Sequence, residues 1–439
     1  MPSWRPSWPS CAADRVRYAE AIADLDARQP SRMVPDLDRI RALADLLDHP
    51  ERTYPSVHVT GTNGKTTTAR LIGRLLCAHG LAAGVYTSPH LHALTERLAL
   101  CDGNIPEDEL AETYTHLAPY LGEVDGLGEE RVTYFEALTA LAYLWFADKP
   151  VDAAVFEVGM GGEWDATNLI EAGVAVLCSI DLDHPELGST VEEVALEKAG
   201  IIKAGATAVV QDPNPEALPS IEARAERVGA SLLLSGRDFR LVDRRPAVGG
   251  QQIAVAGTRG VYGDLLVPLH GAHQALNAMS AIVAAEVFLG QELDEDSLRE
   301  ALTGSTSPGR LEVVSRHPLV VLDGAHNPDA ARALAAALPE AFVWRRLHLV
   351  IAVLEGKDVA GIVTALAPRT ARAYAAANSN PRSRSAADLT EACRAAGIEV
   401  EEHPSVPAAL KAARATAAED DLILVTGSLY TVADARPPT

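Results

Sequence analysis

The stretch SVHVTGTNGKTTTARLIGRLL, residues 56 to 76, constrains the fold more than any other part of the chain. An apolar β-rich run ends in a glycine turn. The turn opens directly onto a helical pattern that places Leu71, Ile72, Leu75 and Leu76 on one face. A strand feeding a helix through so short a connection belongs in an α/β unit with a parallel sheet. The usual phosphate-binding spacing would put a glycine at position 59, where this chain has Val59. Instead Gly61 and Gly64 flank Thr62 and Asn63, a tighter G-T-N-G-K-T turn. Successive backbone N–H groups can still point into one concavity, and the helix that follows adds its positive end. Lys65 then supplies a point charge for terminal phosphates, and the Thr66 hydroxyl an oxygen for Mg²⁺. A glycine turn with an incidental lysine is the plainer alternative.

The same alternation of strand and helix runs through the chain. DAAVFEVG (152–159) and GVAVLCSI (173–180) are apolar on both faces, as buried strands of a parallel sheet must be. A small β excursion is expected over 251–269, then a helix over 271–290. The turn formers TGSTSPGR near residue 305 mark a boundary. Beyond it LVVLDGAHNP, LHLVIAVL, ARAYAAA and DLILVTGS alternate with helical patterns, a second α/β unit. Two domains follow, 1–305 with the glycine loop and 306–439 with a Rossmann-like α/β pattern.

Composition narrows the function. A net charge of −22, from 38 basic and 60 acidic residues, argues against nucleic acid as a partner, which needs a basic face. A local cluster of Lys and Arg can still oppose that field at an anionic pocket. The N-terminal MPSWRPSWPSCAADRVRYAEA lacks the apolar core of a signal peptide. The most apolar stretch, ALTALAYLWFA, is too short to span a bilayer. The five cysteines show no paired spacing, so neither a disulfide framework nor a zinc site is expected. A soluble, cytoplasmic protein without membrane partners is the expectation.

Other candidate groups lie at strand ends. Glu157 closes DAAVFEVG, and a carboxylate buried there is costly unless paired. Mg²⁺ shared with nucleotide phosphates is a natural partner, and a structural salt bridge is the alternative. His184 follows the next strand, Lys198 lies on a helical pattern, and Asp323 and His326 follow a strand of the second unit. Arg310 lies in SPGRLE. Each is weak alone, and lone histidines and solvated lysines are common. Together they suggest a nucleotide held in a cleft between the two α/β units.

The ordered set GTNGKT, TSPHL, TYFEALTA, EVGMGGEWDATN, EKAGIIK, HQALNA, SPGRLE, DGAHNP and VTGSLY resembles the folylpolyglutamate synthase and dihydrofolate synthase family of ATP-dependent Mur ligases. The resemblance covers about residues 30 to 430. It implies a Mur-ligase-like P-loop domain followed by a Rossmann-like glutamate ligase domain. It also implies an activity in folate biosynthesis: ATP converts a dihydropteroate or reduced folate carboxylate to an acyl phosphate, which L-glutamate attacks. The family pattern places the triphosphate on Gly61, Thr62, Asn63, Gly64, Lys65 and Thr66, with Asn277, Arg310 and Asp323 contacting ATP. Ser88 and Glu157, with Thr66, would hold one Mg²⁺. His184 would hold a second, with a carbamate formed on Lys198. His326 is expected near the acyl phosphate or the nucleotide. Thr133, Tyr134, Phe135, Glu136, Trp164, Asp165 and Ala166 would form the pterin pocket; core packing is the alternative for their rings. A monomer is expected. Glu163 stands where the family carries an arginine. A Mur-type ligase acting on another acid, or a non-catalytic nucleotide-binding paralogue, stays open from the residues alone.

Overall fold

The structure is a computed structural model and describes residues 16–29, 35–101, 103–128, 130–182 and 185–436. The chain divides into two compact units. The first comprises Met1–Val242, Val255–Gly263 and Asn277–Leu302; the second comprises Asp243–Ala254, Asp264–Leu276 and Thr303–Thr439.

The first unit is built on an eight-stranded sheet. Its strands are β1 (Ser56–Thr60), β2 (Ala83–Tyr86), β3 (Leu98–Leu100), β4 (Gly103–Asn104), β5 (Ala153–Glu157), β6 (Val174–Leu177), β7 (Thr207–Val210) and β8 (Ser231–Leu234). They lie in the order β4-β3-β2-β5-β1-β6-β7-β8. From β2 to β8 the neighbours run parallel, and β3 and β4 add an antiparallel edge. The central strands β1, β5 and β6 bury every residue, which is why they read as continuous apolar runs. Helix Tyr134–Asp148 contains ALTALAYLWFA and is buried nearly all round, as a helix without a polar face must be. It packs against an aromatic group in which Phe156 of β5 meets Tyr143 at 5.3 Å and Phe146 at 5.6 Å between ring centres.

This strand order positions the site. β1 lies between β5 and β6, and β2 lies beyond β5. The connections that leave the carboxyl ends of these four parallel strands therefore emerge at one sheet edge, where ligands of open α/β sheets bind.

A three-stranded sheet, β9 (Arg240–Ala247), β10 (Gly250–Ala256) and β11 (Val261–Val267), forms the expected β excursion. Helix Ala272–Leu289 follows it.

The second unit carries a six-stranded sheet. Its strands are β12 (Glu312–Arg316), β13 (Leu319–Leu322), β14 (Leu347–Ile351), β15 (Thr370–Ala376), β16 (Val400–His403) and β17 (Leu422–Thr426), in the order β12-β13-β17-β14-β15-β16. All pairs are parallel except β12 with β13. The four apolar runs seen in the sequence are β13, β14, β15 and β17. β12 and β16 went unplaced because they lie at the sheet edges and are only half-buried.

One expectation is overturned. Cys77 and Cys101 form a disulfide with their Cα atoms 5.6 Å apart. Cys77 sits in the last turn of helix Lys65–Ala78, which packs on β2. β3 pairs antiparallel with β2, so Cys101 just beyond it returns beneath that turn. Sequence spacing could not show a pairing made by sheet topology. Cys178 and Cys393 are buried thiols, and burial pushes both pKa values up to about 11. No helix among the described residues is long and apolar enough to cross a membrane.

Candidate active site

The glycine loop begins at the end of β1. Gly61 has φ +149°, and a Cβ there would lie 2.6 Å from the Cβ of Cys178. Gly64 has φ +91°, and a Cβ there would lie 2.5 Å from Asn277 Oδ1. Both positions therefore require glycine, for conformation and for space. The loop is pinned to the chain leaving β6. Thr62 N donates to the Ser179 carbonyl at 2.7 Å, and the Thr62 hydroxyl donates to the Asp181 carbonyl at 2.7 Å. Lys65 Nζ donates to the carbonyls of Gly61 at 2.9 Å and Thr62 at 3.3 Å, which holds the ammonium against the loop. Helix Lys65–Ala78 starts at Gly64 with no side-chain cap and no acidic residue in its first turn. Its first N–H groups thus have no capping side chain and no acidic residue of their own turn, an arrangement suited to an anion.

Glu157 meets this loop from the end of β5. It is 1% exposed. Its Oε1 accepts from the Thr66 hydroxyl at 2.7 Å and its Oε2 from Ser88 N at 2.9 Å. Burial raises its pKa above the ordinary 4.5, against the opposing pull of Lys65, the Thr66 hydroxyl, Ser88 N and Arg70. Hard oxygen donors from Glu157, Thr66 and Ser88 suit a divalent cation such as Mg²⁺. No group of three or more His, Cys, Asp or Glu positioned for a metal occurs among the described residues. His184, the expected ligand from beyond β6, lies outside the described residues.

Lys198 is not the solvated lysine that helical patterning leads one to expect. It lies in helix Val191–Ala199, is 3% exposed, and its Nζ donates to the Gly61 carbonyl at 2.9 Å. Asn277, in helix Ala272–Leu289, places its Oδ1 over Gly64 and accepts from Gln211 Nε2 at 3.2 Å. The structure thus brings together Gly61 to Thr66, Ser88, Glu157, Lys198 and Asn277, from five separate stretches of sequence.

Segment 133–136 lies against Tyr86 of β2, whereas Trp164 packs toward helix Val191–Ala199, where its backbone N–H donates to Glu197 at 3.3 Å. Thr133 and Glu136 form a reciprocal cap at the start of helix Tyr134–Asp148, and Arg39 pairs with Glu136 at 3.0 Å. Phe135 lies against Gly159 and 6.1 Å from Tyr86 between ring centres. Tyr134 lies beneath Arg97, whose guanidinium carbon is 5.5 Å from the ring centre. Asp165 is buried and accepts from Met160 N at 2.9 Å, Thr167 N at 3.0 Å and the Thr167 hydroxyl at 2.5 Å. Burial raises its pKa, and these donors oppose the rise. Ala166 opens the short turn that Asp165 caps, and Trp164 packs beside Val158 and Leu187. Thr133, Glu136 and Asp165 therefore shape the backbone of this region with their side chains. Glu163, the residue of reversed charge, pairs with Arg224 at 3.3 Å and packs on Gly200.

In the second unit, Asp323 follows β13 and is 6% exposed. It accepts from Leu311 N at 2.9 Å and Ala325 N at 2.8 Å. Burial raises its pKa, with Arg310 the main opposing influence. Arg310 lies over Gly324, where a Cβ would come within 2.2 Å of its Nη1. His326 Nδ1 donates to the Gly324 carbonyl at 2.9 Å. Asp323 and His326 thus share the loop after β13, and Arg310, from the segment ahead of β12, lies against it at Gly324.

Comparison with known proteins bears on this arrangement. The Mur ligase middle domain matches residues 59–285, and the Mur ligase glutamate ligase domain matches residues 309–429. A dihydrofolate synthase/folylpolyglutamate synthase of Mycobacterium tuberculosis is 42% identical over 392 residues, covering 85% of this chain and 80% of that protein. The chain belongs to the folylpolyglutamate synthase/dihydrofolate synthase family of Mur ligases. The architecture agrees along nearly its whole length. The Mycobacterium tuberculosis folylpolyglutamate synthase complexed with ADP superposes with a TM-score of 0.92 at 38% identity, covering 96% of this chain and 99% of that one. A bifunctional folylpolyglutamate synthase/dihydrofolate synthase solved with Mn, AMPPNP and L-glutamate gives 0.83 at 31% identity, covering 95% and 96%.

Two residues of this family member escaped the sequence reading. Arg39 holds the cap of the TYFE helix, and Arg97 lies among the TSPHL and TYFE segments. For Arg97 a signal was present: a charged pair, Glu96 and Arg97, interrupts an apolar run just after TSPHL. For Arg39 no local signal distinguishes it from other helix arginines.

Proposed function

We propose that this chain is an ATP-dependent amide ligase that adds L-glutamate to the carboxylate of a pteroate or folate through an acyl phosphate. The observation that carries the reading is the joint placement of an uncapped glycine loop, Lys65 and the buried Glu157–Thr66–Ser88 group at one sheet edge. The names of the relatives and the ligands of the solved family members support the same chemistry.

A carboxylate resists attack because it is negatively charged and lacks a good leaving group. Transfer of a phosphoryl group from ATP to the acid supplies that leaving group. The glutamate amine then adds to the acyl carbon, and phosphate departs as the amide forms. Such chemistry asks the protein for positioning and charge neutralisation more than for a covalent nucleophile.

In this reading the amides of Gly61 to Thr66 and the ammonium of Lys65 hold the β- and γ-phosphates. Asn277 contacts the nucleotide beside Gly64. Arg310, Asp323 and His326 serve ATP and the acyl phosphate from the loop of the second unit, with Arg310 suited to bidentate phosphate contact. Glu157, Thr66 and Ser88 hold Mg²⁺, which when bound neutralises charge on the phosphates. A second ion, with His184 and a carbamate on Lys198 as ligands, belongs to the proposal. Phe135, Tyr134, Trp164 and the 165–166 turn take the pterin. The reading places the enzyme in the cytoplasm as a monomer.

The test is ADP release with ATP, Mg²⁺ and L-glutamate, comparing dihydropteroate, tetrahydrofolate and a UDP-linked muramyl acid. Turnover with either folate-type acid and none with the third supports the reading; the reverse pattern defeats it.

A further inference from the structure

Arg97 differs from the other buried arginines of the first unit. It closes the short turn Leu94–Arg97 and is 6% exposed. Its Nε donates to His90 Nδ1 at 2.9 Å, and its guanidinium lies over the Tyr134 ring. Those contacts leave the two terminal nitrogens without a hydrogen bond to the described protein, and no described carboxylate lies within ion-pair distance. Arg28, buried to a similar degree, pairs with both Asp24 and Asp125, and Arg39 pairs with Asp36, Glu130 and Glu136. The adjacent Glu96 is already committed, since its oxygens accept from the backbone of Leu91, His92 and Ala93. A guanidinium cannot shed its proton, and with no acid beside it the terminal nitrogens, which reach solvent, are open to an anionic ligand.

His90 complements it. Its Nδ1 accepts from Arg97, so in the neutral ring the proton sits on Nε2, which makes that nitrogen a second donor. The charged and titratable groups facing the imidazole are Arg97, Glu96 and His92. The pair therefore presents a fork of N–H donors and no acceptor of its own charge, the geometry that recognises a carboxylate.

Its position narrows the ligand. Arg97 and His90 follow β2; the Tyr134 ring lies under Arg97, and the next residue, Phe135, lies against Tyr86 of β2. In the sheet β2 neighbours β5, the strand of Glu157, and not β1 with its glycine loop. The phosphates have Lys65 and the loop amides; Arg97 lies on the aromatic side.

We infer that Arg97, aided by His90, binds a carboxylate of the acid substrate and so selects acids over neutral pterin compounds at this site. The inference rests on the proposed pterin placement beside residues 133–136. Two carboxylates share this chemistry: the reacting aryl carboxylate of a pteroate and the glutamyl carboxylate of a folate.

The experiment measures KM and kcat for dihydropteroate, tetrahydrofolate, L-glutamate and ATP in Arg97→Gln and Arg97→Lys. It also measures equilibrium binding of dihydropteroate and of its carboxamide. Arg97→Gln should raise the acid KM by at least about 30-fold, as loss of a buried charge partner does, and abolish the preference for acid over amide. The kcat and the ATP KM should stay within about threefold, because the phosphate contacts are elsewhere. Arg97→Lys should recover part of the preference, since it restores charge without the fork. An effect with both acids assigns the reacting carboxylate, and an effect with tetrahydrofolate alone assigns the glutamyl one. Equal weakening of acid and amide, or a rise confined to the KM of glutamate or ATP, overturns the inference. Should Arg97→Gln fail to fold, an undiminished acid preference in folded Arg97→Lys and His90→Ala overturns it equally. Phe135→Ala separates the two readings: it should weaken acid and amide alike, and no effect on either would defeat the pterin placement itself.

Discussion

Two corners of this protein share one plan, a parallel strand running through a short loop into a helix, yet they are finished differently. In the first unit β1 turns at Gly61–Gly64 into helix Lys65–Ala78, which has no side-chain cap and no acid in its first turn. In the second, β13 turns at Asp323–Asn327 into helix Pro328–Ala341. There Asn327 accepts from Ala330 N at 2.8 Å, and Asp329 sits in the first turn. The second helix answers its own positive end with protein groups, while the first has no cap or first-turn acid of its own. The carboxylates differ in the same sense. Asp323 takes two backbone amides, Ala325 N of its own loop and Leu311 N ahead of β12, whereas Glu157 takes one hydroxyl and one amide from two other elements. The first corner is open in this sense, and the second is closed by its own side chains.

This contrast can be broken most severely at Lys65. Lys65→Ala removes the cation from the open corner and should lower kcat/KM by about 10³-fold, read as ADP release. Glu157→Gln keeps the shape and removes the charge. It should cost about 100-fold in activity and raise the metal concentration needed for half-maximal rate. The wild-type enzyme should also lose metal-dependent activity on acidification at a pH above 4.5, because burial raises the Glu157 pKa and only the carboxylate binds the cation. An affinity for the cation that, measured at sub-saturating metal, stays unchanged as the pH falls toward 4.5 would contradict that assignment. Gly64→Ala forces a Cβ toward Asn277 at positive φ and should weaken ATP binding about tenfold, measured as a KM for ATP. The smallest effect belongs to the closed corner. Asn327→Ala should cost about 1 kcal/mol of stability by denaturant unfolding. A change in ATP affinity as large as that of Gly64→Ala would erase the distinction between the corners.

Much of the architecture was legible. The strands β1, β5, β6, β13, β14, β15 and β17 are buried on both faces or nearly so, and their sequences show it as unbroken apolar runs. The edge strands β12 and β16 carried no such mark, because half-burial leaves only a weak pattern. The glycine loop was legible for a local reason: backbone conformation and close approach forbid a side chain at Gly61 and Gly64. Lys198 was not, since nothing near it in sequence reveals that its ammonium ends on the Gly61 carbonyl. Thr133, Glu136 and Asp165 were read as ligand contacts, and their side chains are also engaged in caps and turns of the region.

By itself the sequence determined what depends on neighbours along the chain: the strand-turn-helix corner, the buried strands, the two-unit organisation implied by the resemblance, and the lysine and hydroxyl at the start of the helix. Only the tertiary structure decided what depends on strand order. Placing β5 beside β1 delivers Glu157 to Thr66, pairing β3 with β2 joins Cys77 to Cys101, and the turn after β2 sets Arg97 against Tyr134 without an acid. The physical reason is that these groups are brought together by sheet pairing and packing, whose partners lie far apart in sequence and leave no periodic trace in it.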